Sequence, residues 1–506
     1  MKSITFKPGQ LNLALLKSCF QHKNELHLAS DAQTKIDSGR LYLEKAMTQQ
    51  TIYGVNTGLG KLASQSIPQA QLETLQKNLV LSHAAGVGEY LPSAVVRLIL
   101  ILKINALAQG YSGVRWQLIE TIQKCLSADL LPQIPQQGSV GASGDLAPLA
   151  HMACLFIGEG MATLKGKVIT AKEGLTQIGL KPLALAAKEG LALVNGTQVS
   201  LALLLSALFK SETLFQTALI SGALSTTASQ SNLSFLDERI QKLSLSQGQV
   251  DIAKALRYLL NENKNQKPLR VQDPYSIRCQ PQVLGACLEQ FRYSAQSLNN
   301  MINAVSDNPL VFSDSDAVIS GGNFHGQPIA FVADNIANLI ATIGNISERR
   351  IALLIDDSMS GLPPFLIADS GVNSGFMIAQ VTAASLASEN KSLAHPASVD
   401  TIPTSANQED HVSMSTFAAR RLQNMIQNSN HIVAIELLAA CQGVDLLSQK
   451  GLSSTLTSHY QTIRKQIAFK TTDHYLAKDI LEVCQMLDKE MFIVIENEKR
   501  LCAFFE

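Results

Sequence analysis

Apolar residues recur at three- and four-residue intervals over stretches longer than an average globular helix, and that spacing restricts the chain to a helical body. Residues 71–82, 92–109, 114–131, 189–226 and 281–304 carry the pattern, and 335–356, 383–393, 416–450 and 477–500 continue it. Long helices with uniformly apolar faces bury more than one side, which predicts a bundle. Strand signal is thin, and its best case is a small hairpin over 163–170 around Lys165-Gly166-Lys167. No repeat of fixed period and no low-complexity segment interrupts the pattern. The expected fold class is mainly α: a smaller mixed N-terminal globular part over 1–110, then an elongated helical body over 111–506.

Composition narrows the function classes. The 506 residues carry 41 Lys+Arg against 41 Asp+Glu, so a neutral chain offers no electrostatic footprint for nucleic acid or an anionic membrane. The most hydrophobic stretch, 191–209, contains Asn195, Thr197, Gln198, Ser200 and Ser206 and is followed by Lys210, which favours a core helix over a membrane span. Eight cysteines are scattered with no CxxC pair, as reduced core thiols are, and the ten histidines form no ligand pairs. No metal and no external cofactor are expected, and the expected compartment is the cytoplasm. Only 16% of residues are charged against 46% hydrophobic, which fits either a large core or a surface covered by other subunits.

Gly58-Leu59-Gly60-Lys61-Leu62-Ala63 formally matches GxGxxA, but it lacks a preceding strand and a βαβ rhythm. The same Gly60-Lys61 fails as a phosphate loop, because Val55 replaces the first glycine and Leu62 follows the lysine. The unusual stretch is 138–145, Gly138-Ser139-Val140-Gly141-Ala142-Ser143-Gly144-Asp145, nearly bare of side chains. A plain helix–helix connector would account for a generic Gly/Ser loop. This order permits more: Gly144 allows its amide nitrogen to fold back on the Ala142 carbonyl carbon. If the nitrogen attacks and two waters leave, one of them from the Ser143 hydroxyl, a five-membered ring with an exocyclic alkene results. No natural side chain supplies so strong an electrophile.

The run from Gly141 through Asp145-Leu146-Ala147-Pro148-Leu149-Ala150 resembles the signature of the aromatic amino acid ammonia-lyase family. The similarity extends over essentially the whole chain. It includes Tyr53-Gly54-Val55-Asn56-Thr57-Gly58, Asn195-Gly196-Thr197-Gln198, Gln272-Asp273-Pro274-Tyr275-Ser276-Ile277-Arg278, Ser306-Asp307-Asn308-Pro309, Gly322-Asn323-Phe324-His325 and Gln408-Glu409-Asp410-His411. Leu59 stands where members often have Phe, and Ser306 where Thr is frequent. The resemblance implies the long-helix bundle of the ammonia-lyase/fumarase-like superfamily. It also implies conversion of Ala142-Ser143-Gly144 to 4-methylidene-imidazol-5-one (MIO), and a homotetramer whose active sites draw on more than one chain.

The resemblance further assigns roles. Tyr53 matches the proposed general base, although a tyrosine titrates near about 10 unless positive charge lies close. Arg278 matches the binder of the substrate carboxylate, a task suited to its bidentate fork. Tyr275 and Asn195 would orient the substrate and hold the electrophile, with Gln272 assisting and Phe324 flanking it. Taken alone, these could equally be a packed tyrosine, a surface arginine or a helix-end asparagine. Substrate choice rests on Ser82-His83 and Glu409. Tyrosine- and phenylalanine-directed members usually carry His-Leu or Phe-Leu at the paired position, whereas histidine-directed members carry Ser-His. An imidazole needs polar partners for its ring nitrogens, which His83 and Glu409 can provide. Otherwise His83 is a satisfied helix-end histidine and Glu409 an acid facing Arg420 or Arg421. The expected reaction is elimination of ammonia from L-histidine to give trans-urocanate, with tyrosine or phenylalanine chemistry, or a silent scaffold, as alternatives.

Overall fold

The long periodic stretches fold into long helices, among them Gln198–Ala228, Gln280–Met301, Gln327–Ile355 and Ser415–Leu446. A computed structural model describes residues 3–260 and 268–505, with nineteen α-helices and only short strands among them, which is the mainly α class expected. Two helices, Gln198–Ala228 and Gln327–Ile355, are long and apolar enough to cross a membrane, but 89% and 72% of their most apolar stretches are buried inside the protein, as in core helices. The chain divides into two compact units. The first comprises Met1–Ser206, Gln296–Asp334 and Pro396–Arg420; the second comprises Ala207–Ala295, Asn335–His395 and Arg421–Glu506.

In three places the local backbone overrides the periodicity. The spacing over 189–226 predicts one helix, yet the chain forms two, Glu189–Val194 and Gln198–Ala228. Asn195 turns extended (φ −85°, ψ 135°) and Gly196 takes φ +127°, which only glycine adopts readily. Over 114–131 the helix ends at Ser127, and Leu130–Pro132 becomes a strand paired with Met161–Leu164. The hairpin expected over 163–170 forms from Met161–Leu164 and Lys167–Thr170 and thereby belongs to a three-stranded sheet. Over 477–500 the helix stops at Asp488, and Ile495–Glu496 pairs with Lys499–Arg500 across Asn497 and Glu498, both left-handed as a two-residue hairpin turn requires.

Within the first unit, the helices Leu72–His83, Leu146–Phe156 and Glu189–Val194 pack on one another. Their approach depends on Gly190, where a Cβ would lie 2.5 Å from the Gln76 carbonyl oxygen. The buried Gln76 side chain accepts from the Leu191 amide (3.1 Å) and donates to the Gly54 carbonyl (3.1 Å), tying the Tyr53 turn to this trio. The ends of the three helices deliver His83, Asp145 and Asn195.

The second unit has its own core. Phe291 stacks on Phe504 with ring centroids 4.2 Å apart, and Phe215 meets Phe504 edge-on at 5.5 Å. The helices Gln247–Leu260 and Gln280–Met301 touch through glycine: a Cβ on Gly248 would stand 2.2 Å from the Gly285 carbonyl oxygen. At the centre, the Arg350 guanidinium grips Glu436 through Nε (2.5 Å) and Nη2 (2.9 Å), both side chains being wholly buried. The hydroxyls of Ser221 and Ser225 donate to the same carboxylate at 2.9 and 2.7 Å.

Removing one member of such a pair leaves a buried charge without its partner. Glu436→Gln is expected to destabilise the protein by ~3–5 kcal/mol, and Arg350→Met combined with Glu436→Leu to recover most of that loss. Denaturant midpoints of the variants check this, and a Glu436→Gln midpoint equal to wild type would refute it. His459, packed near Phe492 (6.5 Å between ring centroids), is pushed by burial from its ordinary 6.5 down to about 4. The folded form then stays neutral where the unfolded chain takes up a proton. Stability present above about pH 6.5 is therefore lost as pH falls toward about 4. Melting temperatures across that window should fall less steeply in His459→Leu than in wild type.

Candidate active site

The turn over 138–145 is held by its backbone. Gly141, at φ +68°, has no room for a Cβ, which would stand 2.2 Å from Ser415 Oγ and 2.5 Å from Ser413 Oγ. Its carbonyl accepts from the Gly326 amide (3.0 Å) and the Ser413 hydroxyl (2.9 Å), while the Val140 carbonyl accepts from the Met414 amide (2.8 Å). Gly144, at φ +73°, lies against Gly196 so closely that a Cβ would be 2.2 Å from the Gly196 carbonyl oxygen. That oxygen accepts from the Asp145 amide at 2.7 Å. The wholly buried Asp145 carboxylate accepts from the Ser200 amide (2.7 Å) and hydroxyl (2.9 Å) and from Thr416 (2.7 Å) and Ser139 (3.3 Å). Burial raises its carboxyl above the ordinary range, and these donations oppose but do not cancel the rise.

Ser143 sits between two of the expected site residues. Its hydroxyl donates to Glu409 Oε1, and its carbonyl accepts from Asn195 Nδ2 at 3.2 Å. Asn195 is buried, and its Oδ1 has no hydrogen-bond partner among the described residues. Glu409 Oε2 takes hydroxyl donations from Thr404 (2.6 Å) and Ser405 (2.9 Å). Burial pushes the Glu409 carboxyl up, but the Ser143, Thr404 and Ser405 donations and the nearby His83 outweigh it and hold it below the usual value. His83, at the end of its helix, has its Nδ1 3.1 Å from Ser82 Oγ. Burial lowers its pKa against the opposing pull of the Leu79 carbonyl and Glu409. The Tyr53 phenol oxygen accepts from the Gly60 amide at 3.0 Å, and the turn Gly60–Leu62 lies against Ser405–Asn407. Phe324 is half-buried in the loop that Gly326 anchors to Gly141.

Ala142, Ser143, Gly144, Tyr53, Ser82, His83, Asn195, Phe324 and Glu409 all belong to the first unit, and Ser143, Asn195, Glu409 and His83 form one connected group. Gln272, Tyr275 and Arg278 belong to the second unit and make a group of their own. Arg278 Nε donates to the Asp273 carbonyl at 3.0 Å, and its guanidinium lies 4.4 Å from the centre of the Tyr275 ring. The Gln272 amide oxygen, turned toward Arg278, accepts from Nη2 at 2.9 Å. Tyr275 is 70% exposed.

Sequence reasoning did not single out Gln76, Thr416, Ser413 or Lys103. The first three are ordinary polar residues whose importance comes from the hydrogen-bond partners that folding brings to them. A charge inside the apolar helix Ser93–Leu107 was a readable signal for Lys103, which is wholly buried there.

The tripeptide fits conversion to MIO. The naked Gly144 backbone, the hydroxyl-bearing Ser143 and the buried Ala142 meet the needs of ring closure, and the Asn195 amide already addresses the carbonyl of residue 143. Among the described residues, no group of three or more His, Cys, Asp or Glu side chains is arranged to hold a metal ion.

A family model described as aromatic amino acid lyase matches residues 11–465. A protein of Burkholderia lata named histidine ammonia-lyase is 53% identical over 494 residues, which is 97% of either chain. The crystal structure of histidine ammonia-lyase from Trypanosoma cruzi superposes with a TM-score of 0.90 at 39% identity, over 97% of this chain and 94% of that one. The tyrosine aminomutase from Streptomyces globisporus gives 0.91 at 31% identity, over 97% and 98%. With the bare cyclisable turn, its glycine cradle and the surrounding side chains accompanied by likeness over nearly the full length, the chain belongs to the aromatic amino acid lyase family.

Proposed function

We propose that this chain eliminates ammonia from L-histidine without oxidation, giving trans-urocanate, the first step of histidine degradation, by means of an MIO electrophile closed from Ala142-Ser143-Gly144. The observation that carries the reading is Ser143 held between Asn195 and Glu409 while Gly144 is pressed on Gly196. The Gly144 nitrogen bonds to the Ala142 carbonyl carbon, whose oxygen leaves as water as a C=N bond forms to the Ser143 nitrogen. The Ser143 Cα proton and Oγ leave as a second water, making the exocyclic alkene. The closed group supplies an electron-poor alkene that converts the substrate amine into a better leaving group.

This chain's side chains do the rest. The Asn195 amide donates to the carbonyl of residue 143, which is conjugated with that alkene, and so draws electron density from it. Tyr53, its phenol oxygen fixed by the Gly60 amide, receives the β-proton. Arg278 clamps the substrate carboxylate, Tyr275 and Gln272 orient it, and Phe324 flanks the reacting centre. The Glu409 carboxylate and His83, whose tautomer Ser82 helps to set, pair the nitrogens of the substrate imidazole. A phenyl or phenol substrate would leave these polar groups unmatched, which disfavours tyrosine or phenylalanine.

The assembly we propose is a homotetramer with shared active sites. The low charge density and the exposure of Tyr275, Phe331 and Ile378 (70%, 60% and 63%) support it. We also propose a cytosolic location, in keeping with eight free cysteines.

Ser143→Ala should abolish turnover while leaving the melting temperature near wild type, and the mass of a peptide spanning residue 143 should show loss of two waters in wild type alone. Wild-type protein without that loss would be the silent scaffold. Offered L-histidine, L-tyrosine and L-phenylalanine, the enzyme should produce urocanate; mainly coumarate or cinnamate would overturn the substrate assignment. Glu409→Gln should still lose the two waters yet fall about 10- to 100-fold in kcat/KM for L-histidine, because the substrate ring is left poorly paired. An unchanged kcat/KM would remove Glu409 from the substrate site.

A further inference from the structure

Lys103 is a buried amino group that the chemistry above does not use. It projects from Ser93–Leu107, a helix whose residues from Leu98 to Leu107 are all buried, and is itself 1% exposed. Its Nζ donates to two backbone carbonyls, Ala192 at 3.1 Å and Asn195 at 2.8 Å. These lie at the end of the helix Glu189–Val194, where main-chain carbonyls lose their helical partners and a cation is favoured. The nearest carboxylates are engaged elsewhere. Asp307 accepts from Lys188 Nζ at 2.7 Å, and Asp145 is occupied by Ser200, Thr416 and Ser139. A methionine or leucine would fill the space without the desolvation that pushes the Lys103 ammonium down to about 7, a fall that Lys188 deepens and that Asp307 and Asp145 oppose.

The segment that Lys103 holds by the Asn195 carbonyl makes two contacts with the turn. The Asn195 side chain donates to the Ser143 carbonyl, and the next residue, Gly196, presents its carbonyl to the Asp145 amide and presses on Gly144. Asn195 and Gly196 stand in the break between two helices, so neither helix ladder fixes the outward carbonyl of Asn195. We propose that Lys103 is a positioning residue which, by capping the Ala192 and Asn195 carbonyls, keeps Asn195-Gly196 in register against Ser143-Gly144-Asp145 for both ring closure and turnover. The proposal rests on the reading that Ala142-Ser143-Gly144 cyclises.

The test measures the fraction of freshly folded protein whose residue-143 peptide has lost two waters, as a function of time, together with kcat per cyclised site. Lys103→Met removes both donors at similar volume; Lys103→Gln keeps a shorter neutral donor that cannot span both carbonyls. Lys103→Met is expected to close the ring and turn over about 10- to 100-fold more slowly than wild type, with Lys103→Gln in between, since a small misplacement behind a site costs that much. Wild-type closure and kcat in Lys103→Met would overturn the assignment. If Lys103→Met does not fold, Lys103→Gln takes its place, and wild-type closure and kcat in that variant would overturn the assignment equally. Wild-type protein that never loses the waters would instead refute the cyclisation reading itself.

Discussion

The contact between the backbones of Gly144 and Gly196 is the constraint on which the first unit depends. Two main-chain segments approach more closely than any Cβ would tolerate, and a hydrogen bond from the Asp145 amide to the Gly196 carbonyl closes the contact. Such an approach requires glycine at 144, where a Cβ would strike Gly196, and glycine at 196 for its φ of +127°, together with a scaffold stiff enough to hold both. The scaffold is the trio Leu72–His83, Leu146–Phe156 and Glu189–Val194, whose ends converge on the turn. Asp145 ties the turn to Ser200 and Thr416, and Gly141 is pinned by Ser413 and Gly326. Compression at Gly144 is therefore supported from several directions, and this suits an intramolecular attack whose barrier is largely one of proximity.

The two units bury charge in different ways. In the second, Arg350 and Glu436 meet through a bidentate pair supplemented by Ser221 and Ser225, so most of the polar atoms lost from water are replaced. In the first, charge is spread beneath the candidate site. Lys188, wholly buried and left-handed at φ +77°, pairs with Asp307; Lys103 meets only carbonyls; Asp145 meets only amide and hydroxyl donors. Buried charge and left-handed non-glycine backbone both cost stability, and their concentration beside the reactive turn marks a region shaped by function more than by stability.

Much of the fold was legible because long apolar periodicity leaves few alternatives to helix packing. It failed where one residue's backbone outweighed its neighbours' pattern. Gly196 breaks the helix predicted over 189–226, and left-handed Asn497 and Glu498 turn the end of the stretch 477–500 into a hairpin. For the site, the sequence pointed to Ser143, Asn195, His83 and Glu409, and these prove to be neighbours. Gln76, Ser413 and Thr416 were not legible, since a buried glutamine, serine or threonine has no sequence signature until its partners are in place, whereas Lys103 was legible as a charge within the apolar helix Ser93–Leu107. Nothing local could reveal that Gly196, fifty-two positions after Gly144, is the wall against which the turn is pressed.

The sequence by itself determined the helical class and the chemistry available at Ala142-Ser143-Gly144. Both follow from properties a residue carries with it: the period of its apolar neighbours, the bareness of glycine and the leaving hydroxyl of serine. The tertiary structure decided which distant residues meet that turn and in what electrostatic state. The fall of the Glu409 and His83 pKa values, the rise at Asp145 and the capping of the Asn195 carbonyl by Lys103 all depend on burial and on partners brought together through space. Hydrogen bonds and desolvation act over a few ångströms, and only folding brings residues so far apart in the chain within that range.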